Sequence, residues 1–110
     1  MNQIIAVIPR ESLEPVRSAL LALDVGGLTL SELFEPTGGK GSRDEWWGLG
    51  QDGVVRLEVI SLPEHVDEIT GAITAWVNET AQRPRGIIFV AQLVSVVRIR
   101  TRETGDAAVL

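Results

Sequence analysis

Two arginines, Arg98 and Arg100, lie two positions apart in the stretch SVVRIRT at residues 95–101. Val97 and Ile99 alternate with them, so the pattern predicts a strand that places both guanidinium groups on one face, about 7 Å apart. Two planar donors at that spacing can hold a di- or triphosphate. A solvent-facing edge strand that uses arginines to oppose aggregation has the same pattern. The spacing alone leaves both interpretations open.

The basic side chains are concentrated in one region, although the chain is acidic overall. Asp and Glu number 15 against 10 Lys and Arg, which gives a net charge of −5. Residues 80–102 nevertheless contain five arginines and no carboxylate: Arg83 and Arg85 precede the pair, and Arg102 follows it. The net negative charge argues against nucleic-acid binding, which needs a broad basic surface. The local cluster favours a compact anion as the ligand.

No pattern in the chain predicts catalysis. There is no cysteine, so a thiol nucleophile is excluded. The one histidine, His65, lies beside Glu64 at a predicted helix start, where acidic residues are favoured without any metal. The glycine-rich segments 38–42 and 48–53 lack the spacing or the following helix that phosphate loops need. We therefore expect no enzyme activity, no metal site and no catalytic cofactor.

The length of the chain predicts a single domain over residues 1–110. The first residues, MNQIIAVIPR, have no basic start and no apolar run of signal-peptide length. No stretch approaches the apolar length of a membrane span. These features predict a cytoplasmic protein without membrane insertion.

Hydrophobic periodicity predicts the elements that must position the arginines. They are strands at 2–8, 28–34, 54–60 and from 86 to a break near Gln92, and helices at 11–23 and 63–80. Residues 7–20 and 59–73 are two versions of one strand-to-helix unit. This duplication predicts a ferredoxin-like βαββαβ sandwich of the α+β class, with two helices on one face of an antiparallel sheet. The other sheet face also carries apolar residues, and self-association would cover it.

The predicted helices each have an apolar stripe that should face the core. In the first helix, Ser12 is placed to cap the N-terminus. In the second helix, the spacing predicts a buried stripe made of Val66, Ile69, Ile73, Trp76 and Val77.

Residues 35–53, between the second and third predicted strands, break the periodicity with six glycines and a proline. A loop of this length inside a compact domain usually has a function. Trp46 and Trp47 are costly to leave in water, so they predict an anchor either onto the chain's own fold or onto a partner protein. Lys40 and Arg43 add positive charge to the same segment.

Segments along the whole chain resemble the PII signal-transduction protein family. They are IIAVIP (4–9), VRSAL (16–20), GGLTLSE (26–32), VRLEVI (55–60), IIFV (87–90), VVRIRT (96–101) and ETGDAA (103–108). The resemblance covers nearly the whole chain, and the RIRT end is its most specific part.

This resemblance implies a homotrimer of ferredoxin-like subunits that binds adenine nucleotides (AMP, ADP or ATP) between neighbours. In the terms of the family, residues 35–53 are the T-loop, 81–86 the B-loop and 101–110 the C-terminal segment. The T-loop would dock on a target transporter or enzyme, through a surface that includes Lys40, Arg43, Trp46 and Trp47.

The resemblance also implies roles for individual residues in nucleotide binding. Arg98 and Arg100 would hold the phosphates. Thr29 would lie by the adenine, and Glu58 and Ile60 would line the base and ribose region.

The B-loop departs from the pattern of the family. Arg85 and Gly86 fall in the loop that wraps the phosphates, but Ile87 stands where the family has its phosphate-binding lysine. Arg83 or Arg85 is available to replace that charge from another position. Because the lysine charge faces the outer phosphates, we expect ADP and AMP to compete well with ATP.

Two further departures concern regulation. The segment TGGKGS (37–42) lacks the glutamine that supports magnesium and 2-oxoglutarate binding, and the chain has no tyrosine for uridylylation. The chain therefore resembles a divergent PII-like regulator rather than a nitrogen-sensing one. Divergent relatives include members associated with carboxysomes, with bicarbonate transporters and with metal-efflux genes. The sequence does not choose among these, and inorganic-carbon (bicarbonate) regulation is the preferred interpretation. The alternative function is a trimeric interaction module that has lost nucleotide binding and docks a partner through Trp46 and Trp47. The altered B-loop favours this alternative, whereas the intact Arg98–Arg100 pair favours nucleotide binding.

Overall fold

The computed structural model describes residues 1–23 and 54–105. The elements, in chain order, are strand β1 (Asn2–Pro9), helix α1 (Leu13–Ala22), strand β2 (Val54–Ser61), helix α2 (Val66–Thr80) and strand β3 (Ile87–Gln92). A single 3-10 turn precedes each helix, at Arg10–Ser12 and Pro63–His65. The predicted strand at 28–34 and the segment 35–53 lie outside the described residues.

The sheet is antiparallel and has β1 in the middle, in the order β2-β1-β3. The register pairs Ile5 of β1 with Glu58 of β2 on one side and with Phe89 of β3 on the other. Isoleucine and valine dominate β1, as expected for a strand that pairs at both edges and is covered on at least one face. The described sheet, with both helices packed together over it, is the α+β sandwich that the sequence predicts.

Alternate side chains of the strands form the hydrophobic core beneath the helices. In β1 the even-numbered residues Ile4, Ala6 and Ile8 are buried, as are Val55, Leu57 and Val59 of β2. Helix α1 contributes Leu13, Val16 and Leu20, and helix α2 contributes Ile69, Ile73 and Val77. Full burial of one aliphatic side chain contributes about 1.5–3 kcal/mol, so this cluster is the main source of stability. Among the described residues no helix is long and apolar enough to cross a membrane.

The helices correct two details of the sequence prediction. Trp76 was predicted to face the core, but its side chain is 42% exposed. It lies one position away from the buried series Ile69, Ile73 and Val77, and one position turns a helical side chain by about 100°. Ser12 immediately precedes α1, but its side chain makes no capping hydrogen bond. It is fully buried and hydrogen-bonds to the hydroxyl of Thr80 at 3.0 Å.

The predicted strand at 95–101 is wrong. After β3 the chain forms a small hairpin, residues 96–105, that pairs with itself and whose backbone bridge joins Val97 to Thr104. The Arg98 N–H donates to the Glu103 carbonyl at 2.8 Å, and the Arg102 N–H donates back to the Arg98 carbonyl at 2.7 Å. Arg102 has a positive φ of 60°, which allows this tight reversal. The alternation of arginine with apolar residues therefore belongs to a short hairpin.

The core assignment can be tested with two identical substitutions at positions of different burial. Leu57 is fully buried and Leu21 is 62% exposed. We expect Leu57→Ala to lower the free energy of unfolding by about 2–5 kcal/mol, because it leaves a cavity between sheet and helices. Leu21→Ala should change it by less than about 0.5 kcal/mol. Urea denaturation followed by circular dichroism measures both, and equal losses would contradict this core.

Candidate functional site

The sheet has a second face, which points away from the helices and is here called the open face. Cross-strand partners in an antiparallel sheet project from the same side. The register therefore sets three rows on the open face: Arg56–Val7–Ile87, Glu58–Ile5–Phe89 and Ile60–Gln3–Ala91. Val7 is 4% exposed, whereas Phe89 at the sheet edge is 42% exposed. The open face is thus mainly apolar, with one arginine and one glutamate on β2.

Arg56 and Glu58 form an ion pair on the open face. Two donors of Arg56, Nη2 and Nε, contact the Glu58 Oε1 atom at 3.0 and 3.1 Å. Their side chains are 42% and 27% exposed, so the pair is partly shielded from water. Residues two apart in a strand share a face, which is why the sequence R-x-E produces this contact. Ile60 follows on the same side and is half-buried.

Gly86 brings the turn before β3 into close contact with β1. Its φ is +130°, and a Cβ atom there would overlap the carbonyl oxygen of Val7. Only glycine adopts this backbone without strain and leaves room for the carbonyl. Arg85 precedes it and is half-buried, and Ile87 follows as the first residue of β3. The turn therefore ends at the row of the sheet that carries Arg56.

The start of this turn is tied to the 3-10 turn that precedes α1. The backbone N–H of Gln82 donates to the Glu11 carboxylate at 3.0 Å. The Thr80 hydroxyl donates to the Trp76 carbonyl at 2.6 Å and also contacts the Ser12 hydroxyl. Sequence reasoning missed the Glu11–Gln82 and Ser12–Thr80 contacts, because each joins residues about seventy positions apart and no local pattern connects them. They hold one end of the turn while Gly86 holds the other.

The predicted site residues fall into four groups: those on the open face, in the turn, in the hairpin 96–105, and outside the described residues. Glu58 and Ile60 lie on the open face, and Arg85 and Gly86 lie in the turn, where Gly86 contacts Val7. The structure thus brings the turn and the open face together.

Arg83 is exposed in the same turn, and Arg98 and Arg100 are exposed in the hairpin 96–105, outside the paired rows of the sheet. The remaining predicted residues lie outside the described residues: Thr29, Lys40, Arg43, Trp46 and Trp47.

His65 lies at the start of α2, where its Nδ1 is 3.9 Å from Glu68 Oε2. In the part of the chain that the structure describes, no group of three or more histidine, cysteine, aspartate or glutamate residues could hold a metal ion. This geometry is that of an acidic first turn of a helix.

Comparisons with known proteins define the family. The family model "Nitrogen regulatory protein P-II" matches residues 1–103. The chain is 33% identical to nitrogen regulatory protein P-II 1 of Methanothermobacter thermautotrophicus, over 99% of this chain and 97% of that protein. It is 30% identical to nitrogen regulatory protein GlnK of Escherichia coli strain K12, over 98% of this chain and 99% of that protein.

A solved structure shows the same fold. The crystal structure of PII from Arabidopsis thaliana, bound to citrate, superposes with a TM-score of 0.73 at 24% sequence identity. The match covers 97% of this chain and 90% of that one. The fold is therefore the ferredoxin-like sandwich of PII proteins. Together with the match over residues 1–103, this shows that the chain belongs to the PII family of regulatory proteins, as the resemblance predicted.

The close approach at Gly86 can be tested against a second glycine. We expect Gly86→Ala to lower the free energy of unfolding by about 1–3 kcal/mol, because the new methyl group meets the Val7 carbonyl and the backbone is strained. Gly71 lies inside α2 with open space around its Cα, so Gly71→Ala should raise stability by about 0.5–1 kcal/mol. Thermal unfolding of both variants measures the difference. If both substitutions change the free energy of unfolding in the same direction, the close approach at Gly86 is contradicted.

The contact between Glu11 and Gln82 gives a second local test. Glu11→Ala removes the acceptor of the Gln82 N–H, so we expect that amide to exchange with deuterium markedly faster. Because the pair is exposed, the loss of global stability should stay below about 1 kcal/mol. Glu14→Ala is the matched control, since Glu14 bonds to Arg17 on the same helix. An unchanged Gln82 exchange rate in Glu11→Ala would show that this carboxylate does not hold the turn.

Proposed function

We propose that this chain is a PII-family regulator that binds an adenine nucleotide between the subunits of a homotrimer and signals to a target protein through residues 35–53. The observation that carries the proposal is the contact of Gly86 with Val7. It places a backbone turn, flanked by arginines, beside the open face that carries Glu58. Such a turn can bind phosphates, and the neighbouring carboxylate and apolar surface can bind the ribose and the base of a nucleotide.

Each part of the site suits a different part of the nucleotide. Glu58 is an acceptor for ribose hydroxyls or the adenine amino group, and Ile60 offers the base an apolar surface. Thr29 would complete the adenine side. The backbone N–H groups of the turn, with Arg83 and Arg85, would face the phosphates.

The hairpin 96–105 would supply Arg98 and Arg100 from a neighbouring subunit. Both arginines are exposed, and so are the adjacent apolar residues Val97 and Ile99, at 59% and 92%. Exposed apolar side chains next to arginines are typical of an interface core and its polar rim. Trimerisation would also cover the open face, including Phe89, which is 42% exposed in one chain.

The preferred nucleotide follows from Ile87, the first residue of β3. Ile87 lies in the same row as Val7, at the end of the turn, and brings no charge to the site. The outer phosphates therefore lose an electrostatic contact, whereas the base and ribose contacts are unaffected. ADP and AMP should bind with affinities similar to that of ATP. The relative from Arabidopsis was crystallised with citrate, which is also a compact anion.

The signal would pass from the turn to the segment 35–53. Lys40, Arg43, Trp46 and Trp47 would contact a target transporter or enzyme, with Trp46 and Trp47 as the anchors. We propose a cytoplasmic site of action and a role in inorganic-carbon (bicarbonate) regulation.

Ile87 also supports a second candidate function, in which nucleotide binding has been lost. If the turn no longer holds phosphates, the trimer is an interaction module that docks its partner constitutively through Trp46 and Trp47. This alternative predicts that the partner binds equally well with and without nucleotide.

Calorimetry tests the nucleotide proposal. We expect AMP, ADP and ATP to bind saturably, and Arg100→Ala to weaken each of them at least about tenfold, since it removes a charge-assisted contact to phosphate. Arg17→Ala is the control, because it removes the same charge from α1, where Arg17 is paired with Glu14 outside the proposed site. Cyclic AMP, titrated alongside, tests whether a free terminal phosphate is needed. Absence of binding by all four ligands would favour the interaction module.

A further inference from the structure

A cavity of about 460 Å³ lies on the helix side of the sheet, between α2, β3 and the turn at 84–86. Its apolar walls come mainly from Ile8 of β1, Ile73 and Val77 of α2, and Ile88 of β3. The turn contributes Pro84, Arg85 and Gly86, Ile87 begins β3 at the same end, and Thr74 and Asn78 of α2 also line the cavity. This volume is within the range of about 300–1,000 Å³ that is typical of small-molecule sites.

The cavity is distinct from the proposed nucleotide site. Ile8 and Ile88 pack with the core beneath the helices, whereas Glu58 and Ile60 project from the open face. The main walls of the two sites therefore lie on opposite faces of the sheet, and the sites meet at Gly86 and Ile87, which also line the cavity. The turn at 84–86 borders both, since Gly86 contacts Val7 and Arg85 lines the cavity.

The lining determines the chemistry of a ligand. Most of the wall is aliphatic. The polar groups of α2 are engaged with their own helix: the Thr74 hydroxyl donates to the Thr70 carbonyl at 2.8 Å, and the Asn78 side chain donates to the Thr74 carbonyl at 2.9 Å. Among the described residues, Arg85 is the one charged side chain in the lining. A guanidinium has five donors, so it can bind a further acceptor in addition to its contacts within the protein.

We propose that this cavity binds a monocarboxylate with a hydrocarbon tail, with the carboxylate on Arg85 and the tail against Ile73 and Val77. Burial of the tail supplies the driving force, and a planar guanidinium suits a carboxylate in a bidentate contact. A ligand with a single charged end suits this lining best, because one charged side chain, Arg85, faces walls that are mainly aliphatic.

The cavity also has a consequence for regulation, which rests on the proposed nucleotide function. A carboxylate that holds Arg85 on the helix side removes it from the phosphates on the other side of the turn. Occupation of the cavity therefore lowers the affinity for ATP, and ATP lowers the affinity for the carboxylate by the same factor.

Octanoate is the probe that tests the binding site, titrated into the ¹⁵N-labelled full chain while amide resonances are followed by NMR. We expect saturable shifts at Ile73, Val77 and Gly86. Octanamide, which has the same tail without the charge, should bind at least about tenfold more weakly. Arg85→Gln should weaken octanoate to a similar extent. Arg83→Gln, which removes the same charge from the same turn outside the cavity, should change it by less than about twofold.

Several results would overturn the site. The site is contradicted if the amide shifts do not saturate or are confined to other surfaces. It is also contradicted if Arg85→Gln and the wild-type chain bind octanoate with equal affinity. Asn78→Trp provides a second variant, because it fills the rim of the cavity and leaves Arg85 in place. It should abolish octanoate binding in a protein whose other resonances are unchanged, and retained binding would overturn the site.

ATP titrations with and without saturating octanoate separate the two proposals. A fall in ATP affinity supports the coupling. An unchanged ATP affinity overturns the coupling and leaves the proposal of a carboxylate site in the cavity unaffected. If octanoate binds and ATP does not bind at all, the nucleotide function fails and the carboxylate site remains.

Discussion

The central position of β1 is the constraint on which the rest of the described structure depends. Its backbone pairs with β2 over eight residues and with β3 over six. Its even-numbered side chains, such as Ile4, enter the core, and odd-numbered ones, such as Val7, face the open side. A slip of one residue would exchange the two faces, and it would place Arg56 and Glu58 of β2 beneath the helices. The register that builds the core is thus the same one that assembles the candidate site.

The turn before β3 extends this constraint to the ligand sites. Gly86 can approach the Val7 carbonyl only because it lacks a Cβ, and Glu11 holds the other end of the turn through the Gln82 N–H. The turn is therefore fixed at both ends, while Arg85 between them borders the helix-side cavity. A short fixed segment between two ligand surfaces is a physical route for coupling, since a ligand on either side acts on the same residues.

Much of the fold was predictable because its elements are strongly periodic. The predicted strands at 2–8 and 54–60 match β1 and β2 to within one residue, and the helix at 63–80 matches α2 with its preceding turn. The resemblance to PII proteins, which the comparisons confirm, came from short segments along the chain. The hairpin at 96–105 was mistaken for a strand, because apolar alternation does not reveal which backbone a segment pairs with.

The site was less predictable than the fold. The ion pair of Arg56 and Glu58 could have been predicted from the sequence, because R-x-E in a strand places both side chains on one face. The resemblance to the family assigned a role to Glu58 and none to Arg56. The Glu11–Gln82 contact joins distant segments, and no spacing rule predicts it. The roles of Arg98 and Arg100 stay predictions.

The most direct test of the central claim is to map ATP binding onto the ¹⁵N-labelled chain by NMR. If the turn and the open face form a nucleotide site, the largest amide shifts fall at Val7, Glu58 and Gly86, and the buried face of α2 is little affected. Large shifts confined to α2, or no shifts at any ATP concentration, would contradict the assignment of this face as the nucleotide site.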